Sequence, residues 1–306
     1  MNQSSTYGAH IPNTILKIIA WSAILVLSVP PIVYRLIVPV VPGESIYAMW
    51  LACAQAVALM ILWVATWVWP AMESLRGFIL VPLAICVGTF IIFPLIKDSS
   101  VWSKWWQQAS WGIRLVVGYL TVHLVQIALL VLTLIGSRIG RRELFLTRGT
   151  PRALCPPTRL LFMKAPEPWN IVARKFIVVY IIIAVVYMGI QAAFASPKIS
   201  QLFLYFPAIV IAAAINAFGE EFEFRSMPLA RLEPVFGPGQ AIIMTTVMFG
   251  LTHYFGVPGG PIGVLLVAFL GYIGAKSMVD TRGIVWAFLI HFTGDFIIYS
   301  TWAMLA

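Results

Sequence analysis

Charge is the first thing this chain has little of. Asp, Glu, Lys and Arg make up 10% of its 306 residues, against about a quarter in a soluble globular domain. So little charge excludes an ordinary soluble fold and a disordered chain alike. Cysteine is scarce too. Cys53, Cys86 and Cys155 stand far apart and form no Cys-x-x-Cys pair, so neither a disulfide framework nor a cysteine metal cluster is implied. Acids are outnumbered by bases, 11 to 20, for a net charge of +9. The bases sit in loops without any nucleic-acid motif, so no nucleic-acid partner is expected. No internal repeat is evident. The apolar runs do not alternate, which argues against an outer-membrane barrel.

What remains is apolar: 61% of residues, with a mean hydropathy of +0.93. A membrane-crossing helix needs ~20 such residues. The chain therefore reads as all-α, a polytopic transmembrane bundle of about nine spans (eight to ten). They fall near 15–36, 46–69, 77–96, 111–136, 176–196, 203–230, 240–256, 261–279 and 283–304. The polar first fourteen residues precede a run long enough to span, so no cleaved signal is expected. Two regions emerge: residues 1–200, with about five spans, and residues 201–306.

The loop 137–175 holds nine of the twenty Lys and Arg residues against Glu143 and Glu167. Its five prolines argue against one continuous helix. Basic loops collect on the cytoplasmic side, which puts the N-terminus inside and gives the loop a second contact with anionic headgroups. Arg35, Lys97, Lys104 and Lys198 then fall outside, so this orientation is favoured by count rather than by unanimity. The Trp-rich stretch Trp102–Trp111 reads as an interfacial segment. His123, within the fourth span, reads as a packed histidine bonded to a neighbouring helix.

Six of the eleven acids lie after residue 196, and Glu220, Glu221, Glu223 and Asp295 interrupt apolar helical runs. Ionisable groups there are costly and usually functional. In Asn216-Ala-Phe-Gly-Glu220-Glu221-Phe-Glu223-Phe-Arg225, Glu221 and Arg225 share a helix face and can pair. Glu220 points ~100° away and stays free as the working carboxylate. His253 lies in Phe-Gly-Leu-Thr-His-Tyr. His291 and Asp295 are four apart and share a face. Gly237-Pro238-Gly239 reads as a turn, with Glu220 seventeen residues before Gly237 and His253 sixteen after it. Both therefore lie ~25 Å from the turn, and His291 and Asp295 lie ~15–21 Å in from the same side. Four polar groups on three helices share a depth.

These three motifs together resemble the CPBP family, also called Abi or type II CaaX prenyl proteases, which shows Glu-Glu-x-x-x-Arg, Phe-x-x-x-His and His-x-x-x-Asn/Asp. The resemblance covers roughly 203–304 and departs from the family at Ser226, where many members have Gly. Glu223 is an extra acid that could compete with Glu220. The resemblance implies an intramembrane endopeptidase in a prokaryotic plasma membrane. Glu220 would be the general base, with His253 beside it. His291 and Asp295 would bind a metal or donate to the oxyanion, and Glu221 and Arg225 would hold the first motif. The chemistry is either metal-free, the preferred reading, or zinc-dependent through Glu220, His253 and His291. There is no His-Glu-x-x-His motif. The expected partners are the lipid bilayer and a membrane-embedded or lipidated peptide. A non-catalytic immunity or scaffold protein, and a proton-coupled transporter, are the alternatives.

Overall fold

The computed structural model describes residues 13–38, 49–194, 196–257 and 259–306. The start of the second expected span, 46–48, and residues 1–12 lie outside these. The elements are α1 Asn13–Ile37, α2 Met49–Val68, a 3-10 segment Pro70–Leu75, α3 Arg76–Val87, a π turn Gly88–Ile92 and α4 Phe93–Lys97. Next come α5 Ser100–Gln108, α6 Trp111–Leu132, the short strands β1 Leu154–Cys155 and β2 Glu167–Pro168, and α7 Trp169–Phe194. The chain ends with α8 Ile199–Glu221, a π turn Phe222–Ser226, α9 Met227–Thr252, a 3-10 turn His253–Phe255, α10 Gly260–Thr281 and α11 Val285–Leu305. Helices dominate because lipid offers no partner to backbone N–H and C=O, and a helix satisfies both internally.

Among the described residues, eight helical runs are long and apolar enough to cross a membrane. One of them, Ile199–Phe255, has 57 residues. Straight, it would reach ~85 Å, far beyond a hydrocarbon core of ~30 Å. It breaks at Gly237, whose φ of 78° and ψ of 167° lie outside the helical region and suit glycine. Cut there, the eight runs become nine. The partners across the break are symmetric about it. The Phe224 and Phe249 rings meet at 5.5 Å, and Glu220 Oε2 lies 3.3 Å from His253 Nε2. The helix continues past residue 230 to the break, longer than the apolar run 203–230, because the polar stretch around Glu233 stays helical and Arg282 clamps Glu233 in a two-point ion pair at 2.8 and 2.7 Å.

The C-terminal region forms the centre of the bundle. α10 packs on α9, α11 on α8 and α7, and α6 on α8. The large apolar core joins α1, α3, α9 and α10 through Ile24, Leu27, Phe78, Ile79, Met244 and Met278. α1 contains Pro30 and Pro31, which cannot donate to the carbonyls four residues back. Gln55 of α2 replaces both bonds: its Nε2 donates to Val26 O at 2.5 Å and to Leu27 O at 3.1 Å.

The basic connection folds onto the α10–α11 turn. Helix α7 begins at Trp169, so Arg174 and Lys175 belong to its first turns and not to a loop running to 175. Trp169 stays helical because it is anchored: its Nε1 donates to Asp280 at 2.9 Å, and Lys276 donates to the same oxygen at 2.9 Å. Thr150 N donates to Thr281 O at 2.7 Å, Ile284 N to Thr147 O at 3.1 Å and Trp286 Nε1 to Pro151 O at 2.8 Å. Gly149, at φ +59°, sits so close that a Cβ would overlap the Thr281 carbonyl. Burial beside this turn pushes the Cys155 thiol up to about 11. The Trp-rich stretch is α5, started by Ser99 accepting from Trp102 N, with Trp102 stacked on Trp106.

Candidate active site

The π turn at Phe222–Ser226 directly follows the two adjacent glutamates. A π turn widens the helix and often marks a functional site. Here three acids leave one short stretch in three directions. Glu221 Oε1 accepts from Arg225 Nη1 at 2.6 Å and from His291 Nδ1 at 2.7 Å. Glu223 Oε1 lies 2.7 Å from His123 Nδ1 on α6. Glu220 faces a cavity.

That cavity, of about 290 Å³, is lined by Glu220, His253, His291, Asp295 and Asn216 on its polar side and by Tyr119, Tyr180, Phe249, Val267, Tyr299 and Trp302 among others. Glu220 Oε2 lies 3.3 Å from His253 Nε2 and 3.4 Å from His291 Nε2. It nevertheless makes no well-formed hydrogen bond and is buried. A buried, unsatisfied carboxylate oxygen calls for a further polar partner.

Both imidazoles are oriented from behind. His253 Nδ1 donates to Phe249 O at 2.8 Å, and His291 Nδ1 donates to Glu221. Each therefore turns its Nε2 to the cavity. His291 Nε2 is also 3.6 Å from Asp295 Oδ2. Asp295 Oδ2 accepts from Asn216 Nδ2 at 3.0 Å.

Arg225 is the structural pivot. Its guanidinium lies 3.9 Å over the Phe249 ring, and its Nε donates to Gly271 O at 3.4 Å. Phe249 also carries His253 against its other neighbours, with ring centroids 4.2 Å apart. Gly274 leaves room for this arginine: a Cβ there would sit 2.9 Å from Arg225 Nε.

The six residues singled out from the sequence, Glu220, Glu221, Arg225, His253, His291 and Asp295, thus meet in one cluster. Glu223 does not enter the cavity lining. It is held by His123 and by Gln126, whose amide nitrogen donates to it once oxygen and nitrogen are assigned by their surroundings. Ser226 is fully buried, and its hydroxyl makes no hydrogen bond. Asn216, Tyr119, Tyr180 and Tyr299 were not singled out. Tyr119 and Tyr180 come from helices outside the motifs, with no local pattern to mark them. Asn216 could have been found, since it stands four residues before Glu220.

Among the described residues, no group of three or more His, Cys, Asp or Glu side chains is arranged to hold a metal ion. In the zinc set Glu220, His253 and His291, both imidazole nitrogens approach the carboxylate oxygen directly.

A second, apolar cavity of about 430 Å³ lies between α7, α10 and α11. It shares Tyr180, Val257, Val267, Leu270, Ile298 and Trp302 with the first.

Residues 200–297 match the family described as type II CAAX prenyl endopeptidase Rce1-like. This stretch supplies Asn216, the three acids of the π-turn region, Arg225 and both cavity histidines. The match is a similarity to a CAAX-type protease family over residues 200–297, about a third of the chain. No curated protein and no solved structure matches the chain.

Proposed function

Starting from an Rce1-like protease region in residues 200–297, we propose that this chain is an intramembrane endopeptidase that hydrolyses a membrane-associated peptide through glutamate-activated water. The observation that carries this reading is the buried, unbonded Oε2 of Glu220, flanked by two imidazole nitrogens at the cavity wall.

A water held between Glu220 and His253 loses its proton to Glu220 as its oxygen attacks the scissile carbonyl carbon. The carbonyl oxygen gains the negative charge. His291, carrying a proton on Nε2, and Asp295, in its protonated form, donate to that oxyanion. Asn216 occupies one oxygen of Asp295 and leaves the other for the cavity. Collapse of the intermediate breaks the C–N bond, and Glu220 passes its proton to the leaving nitrogen. Glu221 accepts from His291 Nδ1 and from Arg225 at once, so it orients the imidazole and steadies its cationic form. The apolar cavity beside the centre suits the apolar part of a membrane-embedded or lipidated substrate.

The test compares the termini of membrane peptides, by mass spectrometry, in cells carrying the wild-type chain and the Glu220→Gln chain. New termini are expected with the wild type only. General-base loss of this kind costs about 10²–10⁴-fold in rate. Identical termini in both cells would overturn the assignment of Glu220. Metal analysis of the purified protein, with cleavage repeated in a chelator, addresses zinc: undiminished cleavage is expected.

A further inference from the structure

The polar chain that ends on Asp295 begins on α6, outside residues 200–297. Asn216 Nδ2 donates to Asp295 Oδ2 at 3.0 Å, and Asn216 Oδ1 lies 3.0 Å from His123 Nε2. His123 Nδ1 lies 2.7 Å from Glu223 Oε1. At the far end Gln126 donates to Glu223, and its oxygen accepts from Thr89 Oγ1 at 2.6 Å. His123, Gln126, Asn216 and Glu223 are each no more than 5% exposed.

The Asn216 amide, with its nitrogen on Asp295 and its oxygen on His123, sets the direction of this chain. An amide oxygen only accepts, so His123 Nε2 must carry a hydrogen. Glu223 can meet that at the other nitrogen in two ways. Its carboxylate accepts from Nδ1–H of a doubly protonated imidazolium, or a protonated Glu223 donates to Nδ1 of the neutral ring that carries its hydrogen on Nε2. The Asn216 amide is then fixed with its nitrogen toward Asp295. Turned over, its oxygen would face Asp295 Oδ2 and would draw the Asp295 proton there, away from the oxygen that serves the oxyanion. Asp295 Oδ2 is in this way held as an acceptor, and its other oxygen is the one available at the cavity.

Packing supports the same reading. The His123 ring lies directly on Gly219, the residue before Glu220, and a Cβ at 219 would overlap the ring. Helix α6 therefore packs tightly on α8 beside the working carboxylate. A buried polar chain is costly unless each member is satisfied. Here it leads from a packed helix interface to a carboxylate in the reaction cavity.

We infer that His123 and Glu223 are positioning residues for Asp295, acting through Asn216, so that α6 is part of the peptidase centre. The inference rests on the proposed peptidase reading, in which Asp295 faces the oxyanion.

The probe is the peptide found by the terminus comparison, resynthesised with a fluorophore and quencher across the cleaved bond. Wild type against Glu220→Gln comes first, and equal rates there would defeat the peptidase reading alone. The inference has its own readout in ¹⁵N-histidine NMR of the full chain in detergent. His123 Nε2 is expected to be protonated, and an unprotonated Nε2 overturns it. In kinetics, His123→Leu, Glu223→Leu and Asn216→Leu are each expected to lower kcat about 10–100-fold, with KM within about twofold. Glu223→Gln is expected to recover most of the rate, because its amide still donates to Nδ1. In an Asp295→Ala background His123→Leu is expected to add no further loss, since residues acting through one group are not additive. Full additivity, or Glu223→Gln as damaging as Glu223→Leu, overturns the inference. If His123→Leu lowers the melting temperature sharply, Asn216→Leu and Asn216→Asp together give the decision: the first side chain cannot donate to Asp295 and the second cannot as a carboxylate, and an unchanged kcat in both overturns the inference.

Discussion

Arg225 shows how one residue can hold several others. It is 1% exposed, pairs with Glu221, lies on Phe249 and bonds Gly271 O. Removing one member of a buried pair leaves an uncompensated charge and costs ~3–5 kcal/mol. Crowding it should act by a different route. Gly274→Ala would place a Cβ 2.9 Å from Arg225 Nε and 3.4 Å from Glu221 Oε2. The arginine cannot retreat without leaving the carboxylate that orients His291. We therefore expect Gly274→Ala to cost ~1–3 kcal/mol of stability, as overpacking does, and to lower kcat more than KM. Thermal melting in detergent and peptide cleavage read the two separately, and unchanged kcat would contradict the link from Arg225 to His291. At this scale the adjacent glutamates were legible: a 100° step per residue separates Glu220 from Glu221, and four residues join Glu221 to Arg225. Glu223 was not, since its partner His123 is 100 residues away and no local period announces such a pair.

The elements depart from regular helices where the sequence carries prolines, glycines or clustered acids. In α1 the adjacent prolines free the Val26 and Leu27 carbonyls, and Gln55 reaches both. An unsatisfied carbonyl in an apolar interior costs ~1–3 kcal/mol. Gln55→Leu should therefore lower stability by about that much while leaving cleavage little changed, because α1 and α2 contribute nothing to the cavity lining. A melting curve unmoved by Gln55→Leu would show that these carbonyls need no partner. The spans themselves were legible as apolar runs, and the Gly-Pro-Gly turn as a reversal. The π turn at Phe222–Ser226 and the early start of α7 were not. Each depends on partners elsewhere: His291 and His123 for the π turn, Asp280 for Trp169.

Across the whole molecule, two cavities and a cap, the basic connection folded onto the α10–α11 turn, follow from how the helices are arranged. The apolar cavity adjoins the polar cavity at Glu220 along Tyr180, Leu270 and Trp302. Filling it with Ala184→Trp, at its α7 wall, should raise KM for a substrate with a long apolar segment and spare one truncated at that segment. Equal effects on both would remove this cavity from substrate binding. The cap gives a pH-dependent test. The thiolate is the reactive form of cysteine, and with its thiol pushed up to about 11, Cys155 is ionised to only about one part in a thousand at pH 8. Because the folded state raises this pKa above the ordinary 9.0, its contribution to stability holds below that ordinary value and is lost as pH rises toward 11. Maleimide at pH 8 should spare Cys155 until the protein is denatured. Prompt labelling of the native protein would mean the cap is open.

Composition alone determined that this chain crosses a membrane as helices, because 10% charge leaves lipid as the only solvent the surface matches. Spacing within single helices determined which carboxylates and imidazoles share a face. Only the tertiary structure decided that Glu223 is tied to His123 and Glu220 left for the cavity, and that Asn216 and two tyrosines from α6 and α7 complete the wall. Those choices turn on contacts between helices distant in sequence, where a few tenths of an ångström separate a hydrogen bond from an empty place for water.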